Sequence, residues 1–174
     1  GGLRGSKVTT WEGGHRVPCV MRWPGVIPAG RVNNQLATNI DLLPTFAAIS
    51  GASLPKRKID GLNILAMLQG DARATPRAEM LYYFGNNNLE AVRRGYWKLV
   101  FPHPYRVIVT PGVGGMPGKA KQEKATLALY DLRRDPVETT DVQAQHPEIL
   151  AELKAMAERA RADLGDDLTG ASGT

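Results

Sequence analysis

The run Val17-Pro18-Cys19-Val20-Met21-Arg22-Trp23 is apolar almost throughout and shows no alternation. A strand with one wet face alternates apolar and polar residues, whereas a strand covered on both faces of a parallel or mixed sheet reads as a continuous apolar run. The run therefore predicts a strand that needs neighbours at both edges and cover on both sides. Pro24-Gly25 stops it. A helix is expected next, with Asp41 as N-cap, Pro44 in the first turn, Leu42, Leu43, Phe46, Ala47 and Ile49 as its apolar set, and Gly51 just past its end. Strand then helix belongs to an α/β layer. Asp60-Gly61 reads as a turn, followed by one or two helical turns from Ile64 to Leu68 closed by Gly70. Residues 1–70 supply only one such strand, so the sequence predicts the end of something larger or a pairing with another chain.

From about residue 78 the pattern becomes an antiparallel meander. Segments 79–84, 89–94 and 96–101 read as short strands separated by Asn86-Asn87-Asn88 and Gly95, and 127–132 as a fourth. The stretch 102–126 between them reads as a long loop, functional or solvated. Arg133-Arg134-Asp135-Pro136 is a turn. Pro147 opens a helix whose Ile149, Leu150, Leu153, Met156, Ala157, Ala160 and Leu164 follow three-and-four spacing, with Glu148 and Glu152 near its start and Arg159 and Arg161 near its end. The expected fold class is α/β, an α+β fragment: the end of a large mixed sheet with one helix, then a four-stranded antiparallel sheet with a packed C-terminal helix. The expected divisions are 1–75, 76–165 and a frayed tail over 166–174.

Twenty-two Lys and Arg against 17 Asp and Glu give a net charge of +5. That favours anionic partners, but the basic residues are too few and too scattered to argue for nucleic acid, and Lys56-Arg57-Lys58 reads as a solvated loop. The single cysteine, Cys19, permits no intrachain disulfide and reads as a buried, inert thiol. No stretch of 18 apolar residues predicts a membrane span. Three histidines, one cysteine and no carboxylates at calcium-loop spacing predict no metal site within the chain.

The sharpest chemical candidate is Lys7. Gly5 beside it lets the backbone approach a ligand closely, and a fixed ammonium neutralises charge developing on a sulfate or phosphate oxygen. The bland alternative is a solvated surface lysine. A stand-alone anion- or carbohydrate-binding module, built from the antiparallel sheet and the 102–126 loop, is the non-enzymatic alternative.

The segment Gly-Leu-Arg-Gly-Ser-Lys-x-Thr-Thr-Trp-Glu-Gly-Gly-x-Arg-Val-Pro, with Trp23-Pro24-Gly25 after it, resembles the signature of the formylglycine-dependent (type I) sulfatases, an arylsulfatase-like group of the alkaline-phosphatase superfamily. Asp41 with Pro44-Thr45, Asp60-Gly61, Val92-Arg93-x-Gly95-x-Trp97-Lys98-Leu99, Leu129-Tyr130-Asp131-Leu132-x-x-Asp135-Pro136-x-Glu138 and His146-Pro147-Glu148 extend the likeness over nearly the whole chain. It implies the C-terminal portion of a sulfuric ester hydrolase, with 1–75 closing the catalytic domain and 76–165 forming a small second domain. Lys7 would sit on the sulfate, and His15, His103 and Arg106 would line the substrate pocket. Glu12 and Arg16 would be structural, pairing with each other or capping the turn. Phe101-Pro102-His103-Pro104-Tyr105-Arg106 looks like a bacterial arylsulfatase-like branch. The resemblance further implies calcium and a formylglycine made from a Cys or Ser in a Cys/Ser-x-Pro/Ala-x-Arg context. Cys19, followed by Val20-Met21-Arg22, does not match that context, so the nucleophile and metal ligands are expected in a missing N-terminal portion and this chain alone is expected to be inert. The implied substrate is a sulfated small molecule or carbohydrate. The implied location is periplasmic or extracellular. A phosphonate or phosphodiester hydrolase of the same superfamily is the rival enzyme, and the Trp11-Glu12-Gly13-Gly14 turn favours the sulfatase.

Overall fold

Glu79–Phe84 (β1), Asn88–Arg94 (β2), Trp97–Val100 (β3) and Ala128–Asp131 (β6) pair into a four-stranded antiparallel sheet of order β1-β2-β3-β6. The computed structural model describes residues 2–116 and 118–174. The other elements are four helices, Glu12–His15 (α1), Leu42–Ser50 (α2), Leu65–Leu68 (α3) and Pro147–Leu164 (α4), and the strands His103–Thr110 (β4) and Lys119–Ala125 (β5). Two compact units result: Gly1–Val17 with Glu79–Thr174, and Pro18–Ala78.

In the first unit the sheet is buried on both faces. Leu89, Val92, Leu99 and Leu129 point one way, onto Leu153, Met156, Ala157 and Ala160 of α4. Tyr82, Ala91, Val100, Ala128 and Tyr130 point the other way, onto Trp11. Leu89 and Val92 share a face although they are three residues apart. The register explains it, because Tyr82 pairs with Ala91 but Tyr83 with Leu89, leaving Glu90 as an extra residue in a bulge. Pro147 begins α4 at a position where its missing N–H costs nothing, and Gly165, at φ +81°, ends it.

Several expectations need correction. Residues 17–23 form no strand, and Val20 is 94% exposed. An apolar run becomes a strand only when ladder partners and cover are supplied, and the described residues supply neither. Cys19 is likewise exposed rather than buried. The stretch 102–126 is not an irregular loop: β4 and β5 form an antiparallel ribbon with Tyr105 opposite Glu123 and Val107 opposite Lys121. The C-terminal segment is not frayed throughout. Asp166 is fully buried, accepting hydrogen bonds from the Leu89 amide (3.0 Å), the Leu168 amide (3.0 Å) and Arg161 Nε (2.9 Å).

In the unit Pro18–Ala78, α2 stands where expected and Gly51 closes it at φ +72°. Asp41 stands at its N-cap position, as expected, but gives it no side-chain capping hydrogen bond. It ends a 3-10 turn, Asn39–Asp41, and its carboxylate accepts from the Thr38 amide (2.8 Å), the Leu62 amide (2.8 Å) and the Arg77 guanidinium. Burial alone would raise this carboxyl, but the Arg77 hydrogen bonds, followed by the two amides, hold it down at about 2.

Candidate functional site

The loop from Arg4 to His15 is closed by its glycines. A side chain on Gly5, at φ +76°, would come within 2.6 Å of Thr9 Oγ1 and 2.8 Å of Trp11 Cβ. A side chain on Gly14 would come within 2.1 Å of the Thr9 carbonyl. The Gly13 amide donates to the Arg4 carbonyl at 2.7 Å, and Thr9 Oγ1 donates to the Ser6 carbonyl at 2.8 Å. Lys7 and Val8 stand at the tip of this closed turn, and Val8 is forced to φ +69°. A left-handed conformation at a β-branched residue costs on the order of 1–3 kcal/mol and persists where the surroundings over-determine it.

The rest of the loop is fastened to the sheet. Trp11 is buried edge-on against Tyr105 (5.3 Å) and Tyr130 (6.1 Å), with the Arg4 guanidinium 3.5 Å from its ring centre. Arg4 also donates to the Glu138 carbonyl (2.8 Å) and to the hydroxyls of Tyr130 and Tyr105 (3.3 Å each). Below them lies Lys98, at 0% exposure. Its ammonium donates to the Thr10 carbonyl (2.7 Å) and to Glu12 Oε1 (3.2 Å), and lies 2.8 Å from Glu138 Oε1 in an ion contact outside hydrogen-bond angles. Glu138 Oε2 accepts from the Glu12 amide at 2.7 Å. Burial raises the Glu138 carboxyl above its usual range, and the Lys98 charge opposes that rise. Glu12 is therefore structural, but its partners are Lys98 and Arg93 (3.5 Å) rather than Arg16, which meets it only through the backbone.

Lys7 is exposed and makes no ion pair with any described residue. Arg106, exposed on β4, borders a cavity of about 380 Å³ together with Arg4, Gly5 and Ser6, the residues just before Lys7. His15 is exposed and stacks edge-on against Tyr82 at 5.2 Å; loss of hydration, then the Lys98 charge, lowers its pKa. His103 does not face a substrate entrance. At 1% exposure it lies in the core, with Nδ1 2.7 Å from the Phe101 carbonyl and Nε2 3.2 Å from Glu90 Oε2 and 3.3 Å from Thr10 Oγ1. Burial, then Lys98, keeps the ring below its ordinary pKa, while burial raises Glu90 against the Thr10 hydrogen bond. Among the described residues no group of three His, Cys, Asp or Glu could hold a metal ion, so this chain's side chains do not fit a calcium site.

Sequence reasoning gave no role to Arg4, Lys98 or Glu138. For Lys98 a signal existed: it sits between Trp97 and Leu99 in a strand, so its side chain must point to the face opposite theirs. That face, buried like the other, lies under Trp11.

The comparisons agree with this architecture. The chain is similar to steryl-sulfatase of Mus musculus, 35% identical over 183 residues that cover 94% of this chain and 29% of that protein. It is similar to arylsulfatase A of Homo sapiens, 35% identical over 167 residues covering 88% and 32%. The crystal structure of PsFucS1 sulfatase from Pseudoalteromonas sp. superposes with a TM-score of 0.74 at 24% identity, over 99% of this chain and 34% of that one, which supports the fold. The chain thus spans about a third of the length of the relatives it matches. Residues 6–163 match the family described as N-sulphoglucosamine sulphohydrolase, C-terminal, and the chain therefore belongs to the sulfatases, as a C-terminal portion of that family.

Proposed function

We propose that a polypeptide carrying this chain hydrolyses sulfate esters, and that Lys7 is the cation this chain contributes to the sulfate. The supporting observation is the contrast between Lys7 and the charged groups that fasten its loop: Arg4, Glu12 and Lys98 are paired within the fold, while the ammonium at the strained tip is exposed and free of any described carboxylate. A cation held in that way needs no reorganisation as charge gathers on the sulfate oxygens during S–O cleavage. His15 and Arg106 are the further candidates for contact with substrate; His103 instead packs beneath the loop through Thr10.

Calcium and formylglycine would supply the metal charge and the nucleophile. No group of three His, Cys, Asp or Glu among the described residues could hold the metal, and Cys19 lacks the Cys/Ser-x-Pro/Ala-x-Arg context, so the work proposed for this chain is binding and orientation. Residues 1–174 alone should then turn over no aryl sulfate. In a polypeptide that joins the chain to the rest of a sulfatase, Lys7→Ala should lower kcat/KM for an aryl sulfate by about 10²–10³. An unchanged kcat/KM would overturn the assignment. In the isolated chain, inorganic sulfate should shift the amides of residues 5–9, and Lys7→Ala should abolish those shifts.

A further inference from the structure

The contacts around His103 require one proton that the ordinary charge states of its neighbours do not supply. Nδ1 lies 2.7 Å from the Phe101 carbonyl, which can only accept, so Nδ1 carries a hydrogen. Nε2 faces Glu90 Oε2 at 3.2 Å and Thr10 Oγ1 at 3.3 Å. The Thr10 hydroxyl commits its single hydrogen to Glu90 Oε2 at 2.9 Å. A neutral ring and an ionised carboxylate would therefore set two bare lone pairs against each other, on side chains that are 0% and 4% exposed. Buried acceptors and charges left in that way are strongly unfavourable, so a further proton lies between Nε2 and Oε2.

The neighbours decide which partner carries it. On the imidazole it would make a cation in the field of Lys98 of β3 and would leave a carboxylate to be desolvated as well. On Glu90 it makes both partners neutral. Lys98 is already answered by Glu12 of the loop and by Glu138, and Arg93 of β2 pairs with Glu12. The other rings against His103, Trp11 of the loop at 6.4 Å and Tyr105 of β4 at 6.1 Å, bring no charge. Burial raises the Glu90 carboxyl and lowers the His103 imidazole, both toward the neutral arrangement.

We propose that Glu90 is a neutral carboxylic acid that donates a hydrogen bond to His103 Nε2 while accepting one from Thr10, and that this bracket positions the loop that carries Lys7. Thr10 is held at both ends, its hydroxyl by Glu90 and its carbonyl by Lys98 Nζ at 2.7 Å. It stands three residues from Lys7, next to the turn that Thr9 Oγ1 closes on the Ser6 carbonyl, so slack at Thr10 displaces the tip. Loss of the Glu90 proton sets a buried carboxylate against the Nε2 lone pair and opens the bracket. The proton assignment stands apart from Lys7; its consequence for sulfate rests on the reading of Lys7 as the sulfate-holding cation.

The test follows the Glu90 carboxyl carbon, the His103 ring nitrogens and the Thr10 methyl by NMR in the whole chain, from about pH 4 to about pH 9. At about pH 5, above the ordinary 4.5, Glu90 should still be protonated and the ring neutral with its hydrogen on Nδ1. A raised carboxyl keeps its proton on the acid side and gives it up as pH rises through the folded value. Inorganic sulfate, read by the amides of residues 5–9, should therefore bind in full on the acid side and about tenfold more weakly once the proton is gone. Glu90→Gln supplies an amide that donates to Nε2 and accepts from Thr10 at any pH, so it should keep the acid-side affinity and lose the alkaline weakening. Glu90→Leu and Thr10→Val, which break the bracket, should weaken sulfate about tenfold throughout. An ionised Glu90 at about pH 5, a charged ring beside it, or a Glu90→Gln chain as impaired as Glu90→Leu would each overturn the proposal. Lys7→Ala separates the two readings. If it abolishes the sulfate shifts while Glu90 proves ionised, the Lys7 assignment stands and the bracket fails; if Glu90 is protonated and Lys7→Ala leaves the sulfate shifts untouched, the bracket stands and its link to the reaction is removed.

Discussion

The two compact units organise buried charge differently. In the one containing Gly1–Val17, charged groups form a connected layer: Lys98 touches Glu12 and Glu138, Glu12 also meets Arg93, and Arg4 reaches the Glu138 backbone. In Pro18–Ala78 buried charge is concentrated at one carboxylate, Asp41, which gathers Arg77, Thr38 and Leu62. Its helix α2 meanwhile leaves Leu43, Phe46 and Ile49 exposed. The first arrangement holds the loop from Arg4 to His15 against a sheet through several mutually dependent contacts. The second ties local turns together through one hub, so its failure should stay local.

The comparison is most severely tested at Lys98. Lys98→Met leaves Glu138 buried without its cation and Glu12 with Arg93 alone, and should cost about 3–5 kcal/mol in urea unfolding. A loss below about 1 kcal/mol, the range of exposed pairs, would break the idea of a connected layer. Next comes the apolar face of the same sheet, where Leu153 is 1% exposed. Leu153→Ala should cost about 2–5 kcal/mol, and should leave the sulfate-induced shifts of residues 5–9 in place because it lies on the face opposite the loop.

A smaller effect belongs to Asp41, and it depends on pH. Its folded pKa, about 2, lies below the ordinary 3.8, so the folded state prefers the ionised form. Its contribution is present above about pH 4 and disappears as pH falls through 2, with a size of about 2 kcal/mol. Asp41→Asn should therefore lose that stability at pH 7 and converge on the wild type near pH 2. Amide exchange should rise within residues 18–78 and stay unchanged in β2 and β3. Spread into those strands would erase the distinction between hub and layer. The smallest change is of opposite sign: Val8→Gly relieves the left-handed strain and should stabilise by about 1 kcal/mol or less, the gain being reduced by glycine's greater freedom in the unfolded chain. A loss of thermal stability would mean that Val8 is held by packing rather than merely tolerated.

Local pattern made β1, β2, β3, β6 and α4 legible, because turn residues such as Asn86-Asn87-Asn88 and Gly95 punctuate the strands, and the three-and-four spacing of Leu153, Met156, Ala157 and Ala160 is a property of its segment alone. It misled at Val17–Trp23, where apolarity specifies what a strand would need without supplying it. It missed the β4–β5 ribbon because Lys119–Ala125, reading Lys-Ala-Lys-Gln-Glu-Lys-Ala, has neither β-branched residues nor an apolar face; that strand is specified by its partner. In the candidate site, Lys7 and the glycines that shape its turn were readable because they are adjacent in sequence. Glu138 was not, and of Lys98 only the direction across the strand was, since their contacts with the loop span 126 and 86 residues, and His103 was misplaced because a histidine at a strand start gives no local sign of whether it turns inward.

Glu90 is the surplus residue of β2, and the pairing of Tyr83 with Leu89 and Tyr82 with Ala91 shows what its removal would do. Excising it would bring Leu89 next to Ala91 with the inward and outward sides of both preserved, so the sheet could absorb a one-codon deletion there. What would vanish is the carboxylate that meets Thr10 and His103. Strand length at this point is thus tied to two things, the Glu90 carbonyl that accepts from the Phe101 amide at 2.8 Å and the grip on the segment that carries Lys7.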